Sequence, residues 1–253
     1  MKISVITPSL NQGAFIERTI QSVLSQVGKF ELEFLVMDGG STDGTLDIVM
    51  SYQNRLTLIS EKDHGQSDAI NRGFARASGD ILAWLNSDDT YVPGALSAVA
   101  ENYRKREFEW CFGNCRNIDA KDNEIRRGIT RYKMFQSRRY SLSRLLSRDF
   151  VSQPAVFFTK RVFQETGPLD LDLEYTMDYD YWLRLAKRYA PLYINRFLAN
   201  FRWHKRSKND ANYRASAREA YLVAKKYAQP KDRFLLFNHY LHYRALILLY
   251  RFL

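Results

Sequence analysis

The chain has 253 residues, 45% of them hydrophobic and 14% aromatic, which is enough for one large α/β domain and argues against general disorder. The formal net charge of +10 indicates an anionic partner: a nucleotide diphosphate, an acidic lipid surface or nucleic acid. The two cysteines, Cys111 and Cys115, have no further Cys or His to complete a zinc site, so we expect both to be reduced and structural.

The amino terminus is predicted to enter a β-strand at once. Residues 1–6 leave no room for the charged region and apolar core of a signal peptide, which favours a cytoplasmic location. The sequence contains no run of about 18 apolar residues free of charge, so we expect no transmembrane helix.

The first hundred residues alternate between apolar runs and amphipathic segments joined by short polar links. The predicted strands are Lys2–Pro8, Leu32–Met37, Leu56–Ser60 and Ile81–Leu85, and the predicted helices include Ala14–Gln26 and Gln66–Ala77. This alternation predicts a mostly parallel sheet covered on both faces, whose strands end at a common edge. We interpret residues 1–100 as a nucleotide-binding half.

The stretch from Gly79 to Pro93 carries the strongest local signal. The apolar run Ile81–Leu85 stops at Asn86-Ser87-Asp88-Asp89, which places two adjacent carboxylates at the carboxyl end of a buried strand. Oxygen ligands of this kind suit magnesium or manganese, and such a metal would hold a diphosphate. The alternative is a turn that caps the helix after Pro93.

The second half is predicted to add strands and a basic segment. The further predicted elements are strands Trp110–Cys115, Val151–Phe158 and Pro191–Arg202, and a helix over Lys160–Thr166. The arginine-rich stretch between Arg126 and Arg148 is either a solvated loop and helix face or a flexible segment that meets a diphosphate or an anionic membrane. A helical apolar pattern from Tyr181 leaves Asp178 at or just before a helix start, where capping is the structural alternative.

The carboxyl-terminal residues predict two more helices. One covers about Tyr213 to Tyr227, and the other covers Arg233 to Leu253 and is rich in Phe, Leu and Tyr with interspersed His and Arg. The last helix suits the interface of an anionic leaflet, and the rival interpretation is a helix docked on the protein or on a second copy.

Four short motifs in this order and spacing closely resemble glycosyltransferase family 2. They are Thr7-Pro8-Ser9-Leu10-Asn11, Asp38-Gly39-Gly40-Ser41-Thr42-Asp43-Gly44-Thr45, the stretch from Asp63 to Gly73, and Asn86-Ser87-Asp88-Asp89. The resemblance covers about residues 3 to 207. It implies an α/β GT-A fold, a Rossmann-like mixed sheet flanked by helices, with a C-terminal helical extension. We expect a domain over residues 1–207, with nucleotide-binding (1–100) and acceptor (101–207) halves, and an extension over 208–253.

The resemblance also implies roles for individual residues in donor binding. The implied donor-nucleotide contacts are Thr7, Pro8, Ser9, Asn11, Asp38, Asp68, Asn71, Ser87 and Asp88. The implied metal ligands are Asp88, Asp89 and His204. Asn86 stands where the family often has its first carboxylate. His204 belongs to an Arg-x-His element at Arg202, although a lone histidine is more often structural.

A later segment around Asp178 resembles the family pattern Glu-Asp-x-Asp-x-Trp-Leu-Arg, with Met177 in place of the usual glutamate. The resemblance implies that Asp178 is the general base on the acceptor hydroxyl. The implied diphosphate or acceptor contacts are Gln153, Asp180 and Arg202.

Together these features predict an inverting glycosyltransferase, assisted by Mn²⁺ or Mg²⁺, that uses a nucleotide-diphosphate sugar, with UDP as the expected carrier. The expected acceptor is a glycan or a lipid-linked glycan of polysaccharide or cell-envelope synthesis. The sequence is also compatible with a peripheral position at the inner face of the plasma membrane and with a homodimer. No nucleic acid is expected as a partner. The alternatives are a catalytically silent membrane-associated scaffold of the same fold and a basic nucleic-acid-binding protein.

Overall fold

A mixed β-sheet organises the chain. The structure is a computed structural model that describes residues 1–204 and 212–249, without the side chains of His242 and residues 245–249. The predicted boundary at residue 207 and the predicted end of the last helix at Leu253 lie outside these residues. The strands are β1 (Lys2–Ser9), β2 (Glu31–Asp38), β3 (Thr57–Ser60), β4 (Ile81–Trp84), β5 (Thr90–Tyr91), β6 (Trp110–Ile118), β7 (Glu124–Ile125), β8 (Val156–Thr159) and β9 (Leu192–Arg202).

The strand order is β3-β2-β1-β4-β8-β6-β9-β5, with β7 paired to β6. The pairs among β1, β2, β3 and β4 are parallel, and β8 runs antiparallel between β4 and β6. In this register Ser9 lies beside Asp38, and Ile6 lies beside Trp84. The carboxyl ends of β1, β2 and β4 therefore meet at one edge, as predicted for residues 1–100.

Helices cover both faces of the sheet. They are α1 (Ile16–Leu24), α2 (Thr45–Met50), α3 (Gln66–Arg76), α4 (Ala95–Lys105), α5 (Arg127–Arg138), α6 (Leu142–Ser147), α7 (Lys160–Thr166), α8 (Met177–Ala186), α9 (Tyr213–Tyr227) and α10 (Arg233–Leu249). Successive strand residues point to opposite faces, so Val5 packs with Ile20 of α1 in one core while Ile6 packs with Ile70 of α3 in the other. This arrangement confirms the predicted Rossmann-like mixed sheet flanked by helices.

Three buried indoles join α8 to the middle of the sheet. Trp182 of α8 stacks on Trp84 of β4, with ring centroids 5.3 Å apart and planes at 21°. Trp110 of β6 lies on the other side of Trp182 at 6.1 Å and 7°. Because all three rings are almost fully buried, they fix where α8 lies against the carboxyl end of β4.

Several elements differ from their predicted bounds. The strand predicted over Val151–Phe158 begins only at Val156, and residues Gln153–Ala155 form a 3-10 turn. Pro154 has no backbone N–H to give to a neighbouring strand, which accounts for the shorter strand. The basic stretch forms α5 and α6, and α8 begins at Met177, so Asp178 lies in its first turn.

The helices α9 and α10 form a hairpin that packs on α6 and α8. His239 of α10 is 4% exposed, and its Nδ1 donates to the carbonyl oxygen of Leu146 at 3.1 Å. On another part of α10, Phe234, Phe237 and Leu241 are exposed. None of the helices in the described part of the chain has the length and apolar character needed to cross a membrane.

Candidate active site

A cleft of about 380 Å³ lies at the shared carboxyl edge of β1 and β4. Its walls come from the ends of β1, β4 and β9, the start of α3, the 3-10 turn before β8 and the segment that leads into α8. Seven of the residues predicted to contact ligands line it: Pro8, Ser9, Ser87, Asp88, Gln153, Asp178 and His204. The cleft is the place where open α/β sheets bind their ligands.

Asp88 and His204 lie in contact with each other in the lining of the cleft. Asp88 Oδ2 and His204 Nε2 are 2.9 Å apart, and the side chain of His204 is 8% exposed. The imidazole stacks on Phe15, with ring centroids 4.5 Å apart at 30°. A carboxylate oxygen and an imidazole nitrogen that face one volume suit a divalent metal that takes its remaining ligands from phosphate and water. The residues present therefore fit Mn²⁺ or Mg²⁺.

Asp89, the third predicted metal ligand, does not line this cleft. The residue is fully buried, and its Oδ1 accepts a hydrogen bond from the backbone N–H of Arg202 at 2.8 Å. Burial raises the pKa of its carboxyl well above the ordinary value, and the adjacent charge of Asp88 adds to that rise. No group of three or more His, Cys, Asp or Glu residues suited to a metal occurs in residues 1–204 and 212–249.

Arg202, a predicted diphosphate or acceptor contact, is buried outside the cleft lining. Its Nε donates to the Asp88 carbonyl oxygen at 2.7 Å, and its NH1 donates to the Asp119 carbonyl oxygen at 2.8 Å. NH2 pairs with the carboxylate of Asp122 at 2.6 Å. In this structure the guanidinium holds the loop that carries Asp88 in place.

Asp178 lines the same cleft from the first turn of α8. Its Oδ1 accepts a hydrogen bond from the Tyr179 backbone N–H at 2.8 Å. Burial raises the pKa of Asp178, and the charge of Lys133 opposes that rise. A carboxylate with a raised pKa in a cleft is suited to accepting a proton near neutral pH.

Asp149 adds a second carboxyl group beside Asp178. Burial raises the pKa of Asp149, and repulsion from Asp178 raises it further, while Lys133 lowers it. Asp149 Oδ1 is buried and has no hydrogen-bond partner among the described residues. Lys133 Nζ donates to Ser152 Oγ at 3.2 Å, which keeps one cation near the two acids.

Asp180 faces away from the cleft, although it lies only two residues after Asp178. It is 1% exposed, and its Oδ2 accepts from Arg184 Nε at 2.8 Å. Its Oδ1 accepts from the Tyr227 hydroxyl at 2.7 Å, which joins α8 to α9. Asp180 is therefore not among the residues that line the cleft, and its contact with diphosphate or acceptor stays a prediction.

Two polar side chains that line the cleft have unused hydrogen-bonding atoms among the described residues. Ser9 Oγ and Gln153 Oε1 are buried without a partner there. Gln153 Nε2 donates to the Trp84 carbonyl oxygen at 2.7 Å, which sets the orientation of the amide. A bound ligand that supplies donors would satisfy both atoms.

Asp38, the predicted base or ribose contact, folds its own loop and does not line the cleft. Its carboxylate accepts from the backbone N–H groups of Gly40 and Ser41 at 3.0 Å, and from the Ser60 hydroxyl at 2.9 Å. The residue is 1% exposed. It shapes the β2–α2 loop beside the cleft.

Four further predicted contacts also lie outside the cleft lining: Thr7, Asn11, Asp68 and Asn71. Asn71 binds both the N–H and the carbonyl of Leu169 through its amide, at 2.8 and 2.9 Å. Asp68 accepts from the His64 backbone N–H at 3.0 Å, and Asn11 Oδ1 accepts from the Thr42 backbone N–H at 2.9 Å. Asp68, Asn11 and Asn71 thus bind backbone groups of neighbouring loops, whereas the buried Thr7 hydroxyl has no hydrogen-bond partner among the described residues.

Sequence reasoning did not single out several cleft residues. Tyr175 and Phe201 contribute aromatic rings, and Glu174 contributes a carboxylate. Gln66, at the start of α3, donates through Nε2 to Asn86 Oδ1 at 2.7 Å. Gln66 and Asn86 stood inside recognisable motifs, whereas Tyr175 and Phe201 carried no signal beyond their apolar character.

Two solved glycosyltransferase structures share this architecture. A mannosyltransferase from Pyrobaculum calidifontis in complex with GDP-Man and Mn²⁺ matches with a TM-score of 0.72 at 19% identity, over 95% of this chain and 69% of that one. Residues 1–349 of S. aureus TarS in complex with UDP-GlcNAc match with a TM-score of 0.68 at 17% identity, over 88% of this chain and 66% of that one. The fold is the GT-A fold of glycosyltransferases.

The sequence comparison gives the family. The model of Glycosyl transferase family 2 matches residues 4–167, and the chain belongs to that family. An uncharacterised glycosyltransferase of Nostoc sp. is 32% identical over 134 residues, which are 51% of this chain. This chain spans only 41% of the length of that relative.

Proposed function

We propose that the chain is an inverting glycosyltransferase that moves a sugar from a nucleotide-diphosphate sugar to an acceptor hydroxyl. The proposal rests on one observation: a single cleft is lined both by a carboxylate suited to proton transfer and by a carboxylate–imidazole pair suited to a metal. Asp178 lines the cleft and supports the role of proton acceptor, and Asp88 and His204, which line the same cleft 2.9 Å apart, support a metal site. Membership of the family and the nucleotide-sugar complexes of the structural neighbours support a donor of this class.

In the proposed reaction the acceptor oxygen attacks the anomeric carbon while Asp178 takes the hydroxyl proton. The bond between that carbon and the diphosphate oxygen breaks, and the nucleoside diphosphate leaves with the electron pair. A single displacement inverts the anomeric centre and requires no carboxylate nucleophile. The raised pKa of Asp178 strengthens the side chain as a base once it is ionised.

We propose that Asp88 and His204 hold the divalent metal without Asp89. When bound, a metal there stabilises the negative charge of the departing diphosphate. Arg202 contributes indirectly, because it binds the carbonyl oxygen of Asp88 and orders the strand end. Ser9, Ser87 and Gln153 remain the proposed direct donor contacts.

We propose UDP as the nucleotide carrier, with residues 1–100 supplying the nucleotide wall and residues 101–207 the acceptor wall. Residues 208–253 would form an extension beyond this domain.

We further propose that the exposed face of α10, which carries Phe234, Phe237 and Leu241, contacts an anionic membrane surface. The three positions lie at helical spacing, and Arg233 and Arg244 are exposed on the same helix.

The Asp178→Asn variant tests the catalytic assignment. We expect donor binding to stay near the parental value while turnover falls about a hundredfold or more, because the amide cannot accept the proton. Donor binding is measured by calorimetry and turnover by release of the nucleoside diphosphate. The control is Asp172→Asn, an exposed carboxylate in the loop before α8. Parental turnover in Asp178→Asn would show that Asp178 is not the base.

A further inference from the structure

One carboxylate of the C-terminal hairpin binds the chain segment that leads into α8. Glu219 of α9 accepts hydrogen bonds from three consecutive backbone N–H groups, those of Glu174 at 3.0 Å, Tyr175 at 2.7 Å and Thr176 at 2.7 Å. It also accepts from the Thr176 hydroxyl at 2.8 Å. Bonds to an ionised acceptor are stronger than neutral ones, so these four contacts hold the segment firmly.

The segment needs this outside partner because it precedes a helix. The first N–H groups of a helix have no partner within it, and Thr176, the N-cap of α8, makes no side-chain capping bond. Glu219 satisfies the preceding N–H groups from a helix about 45 residues further along the chain. Val223, one turn after Glu219 on α9, is 2% exposed, so this face of α9 is packed against the protein.

The segment held by Glu219 forms a wall of the cleft. Glu174, Tyr175 and Met177 line the cleft together with Asp178, which lies two residues after Thr176. The far side of α8 is fixed separately by the indole stack of Trp182. The direction of the Asp178 carboxylate therefore depends on how Glu219 holds the start of α8.

We propose that Glu219 is a positioning residue for the candidate base Asp178. The helix α9 would then contribute to catalysis by holding the segment that forms part of the acceptor wall. This inference rests on the proposed function, since it assigns Asp178 the task of proton acceptance. Glu219 is not among the residues that line the cleft, and its proposed effect passes through the segment 174–176.

The electrostatic setting of Asp178 provides a readout that a purely structural residue would not change. Burial raises the pKa of Asp178, the Tyr179 backbone N–H and the charge of Lys133 lower it, and the charge of Glu219 adds a smaller rise. Asp149 is the other acid beside Asp178. Removal of the Glu219 charge therefore lets Asp178 stay ionised at lower pH, and the acidic limb of the turnover profile moves to lower pH.

The test compares Glu219→Gln with Tyr227→Phe in the full chain. Tyr227→Phe removes a different α9–α8 hydrogen bond, the one to Asp180, and leaves the segment 174–176 in contact with Glu219. We expect Glu219→Gln to speed amide hydrogen exchange at residues 174–176 and to lower kcat by about tenfold to a hundredfold. Donor affinity stays parental, and the acidic limb of the kcat profile shifts to lower pH. Tyr227→Phe should do none of this.

Thr176→Val provides a second variant if Glu219→Gln fails to fold, because it removes one of the four hydrogen bonds and keeps the carboxylate. We expect a smaller fall in kcat in the same direction. Equal kcat and pH profiles in Glu219→Gln and Tyr227→Phe would overturn the positioning role. If the parental protein transfers no sugar, both the proposed function and the positioning role of Glu219 in catalysis are contradicted. The amide hydrogen exchange data would still show whether Glu219 orders residues 174–176.

Discussion

At the scale of single residues, two acids beside the cleft, Asp149 and Asp178, lie close to one lysine, Lys133. Asp149 and Asp178 both have raised pKa values, because burial disfavours their ionised forms, and repulsion from Asp178 raises that of Asp149 further. The positive charge of Lys133 lowers the pKa of both acids and so offsets part of the rise. When ionised, the two acids therefore destabilise the folded state, and they lie where the proposed chemistry needs a proton acceptor.

This pair makes stability depend on pH in a defined direction. A carboxyl group with a raised pKa in the folded state binds more protons than in the unfolded state, so its contribution is fully present below the unfolded pKa and is lost as pH rises through the folded pKa. Asp149→Asn should therefore raise the free energy of unfolding at pH 8 and have a smaller effect at pH 5. Urea unfolding at both pH values measures the difference.

The control for this measurement is Asp47→Asn, which replaces an exposed acid of α2. It should change stability little at either pH. A destabilised Asp149→Asn at pH 8 would contradict the assignment, since it would mean that the ionised carboxylate contributes to the fold.

At the scale of elements, side-chain direction explains which predicted contacts reach the cleft. Adjacent residues at a strand end point in different directions, and only Asp88 of the pair Asp88 and Asp89 faces the cleft. In a helix, residues two apart differ by about 200° around the axis, so Asp178 and Asp180 cannot both face the same volume. The sequence patterns predicted Asp88 and Asp89 just after a buried strand and Asp178 at or just before a helix start, and these are their positions in the chain.

The rest of the site depends on contacts that no local pattern contains. The fold of residues 1–100 was predictable because apolar runs and polar links alternate regularly there. The hydrogen bonds from residues 174–176 to Glu219 join positions about 45 residues apart. No pattern near Glu219 in the sequence indicates these hydrogen bonds. Asp38 matched a family motif, yet only the structure shows its carboxylate occupied by the loop that follows it.

The helix α10 carries the prediction about membranes. Phe234 and Phe237 are 71% and 55% exposed, and burial of a phenylalanine in an apolar medium contributes about 1.5 to 3 kcal/mol. Replacing both by serine should weaken binding to vesicles with anionic lipid by at least about tenfold, measured by co-sedimentation.

The matched control replaces Val27 and Met50, two exposed apolar residues outside α10, by serine. Equal sedimentation of both double variants and the parental protein would remove the membrane role from this face. A parental protein that ignores vesicles but has the mass of a dimer, which the two α10 substitutions convert to monomer, would assign the face to a second copy.

At the scale of the whole molecule, donor binding should stabilise the fold. A ligand that binds only the folded state at about 100 times its Kd adds about 2.7 kcal/mol, which corresponds to roughly 5 to 10 °C in Tm for a chain of this size. We expect such a shift with UDP and manganese together, and a smaller one with UDP alone. Thermal melting with UDP, GDP and dTDP, with and without manganese, measures this.

Asp88→Asn is the control variant for the metal in this panel. It should keep the fold and lose the manganese-dependent part of the shift, because the amide is a weaker ligand than the carboxylate. A larger shift with GDP would replace UDP as the proposed carrier. No shift with any nucleotide, with or without metal, would count against a nucleotide-sugar donor.

The indole stack behind the cleft has an optical consequence. Three of the four tryptophans, Trp84, Trp110 and Trp182, lie in one stack, and Trp84 also lines the cleft. Excitation absorbed by the deeper rings can pass along the stack to the indole at the cleft wall. Because transfer runs in both directions along the stack, the emission of all three rings is coupled to the surroundings of Trp84 at the cleft wall, and a ligand that alters those surroundings should change the ultraviolet emission of the unlabelled protein.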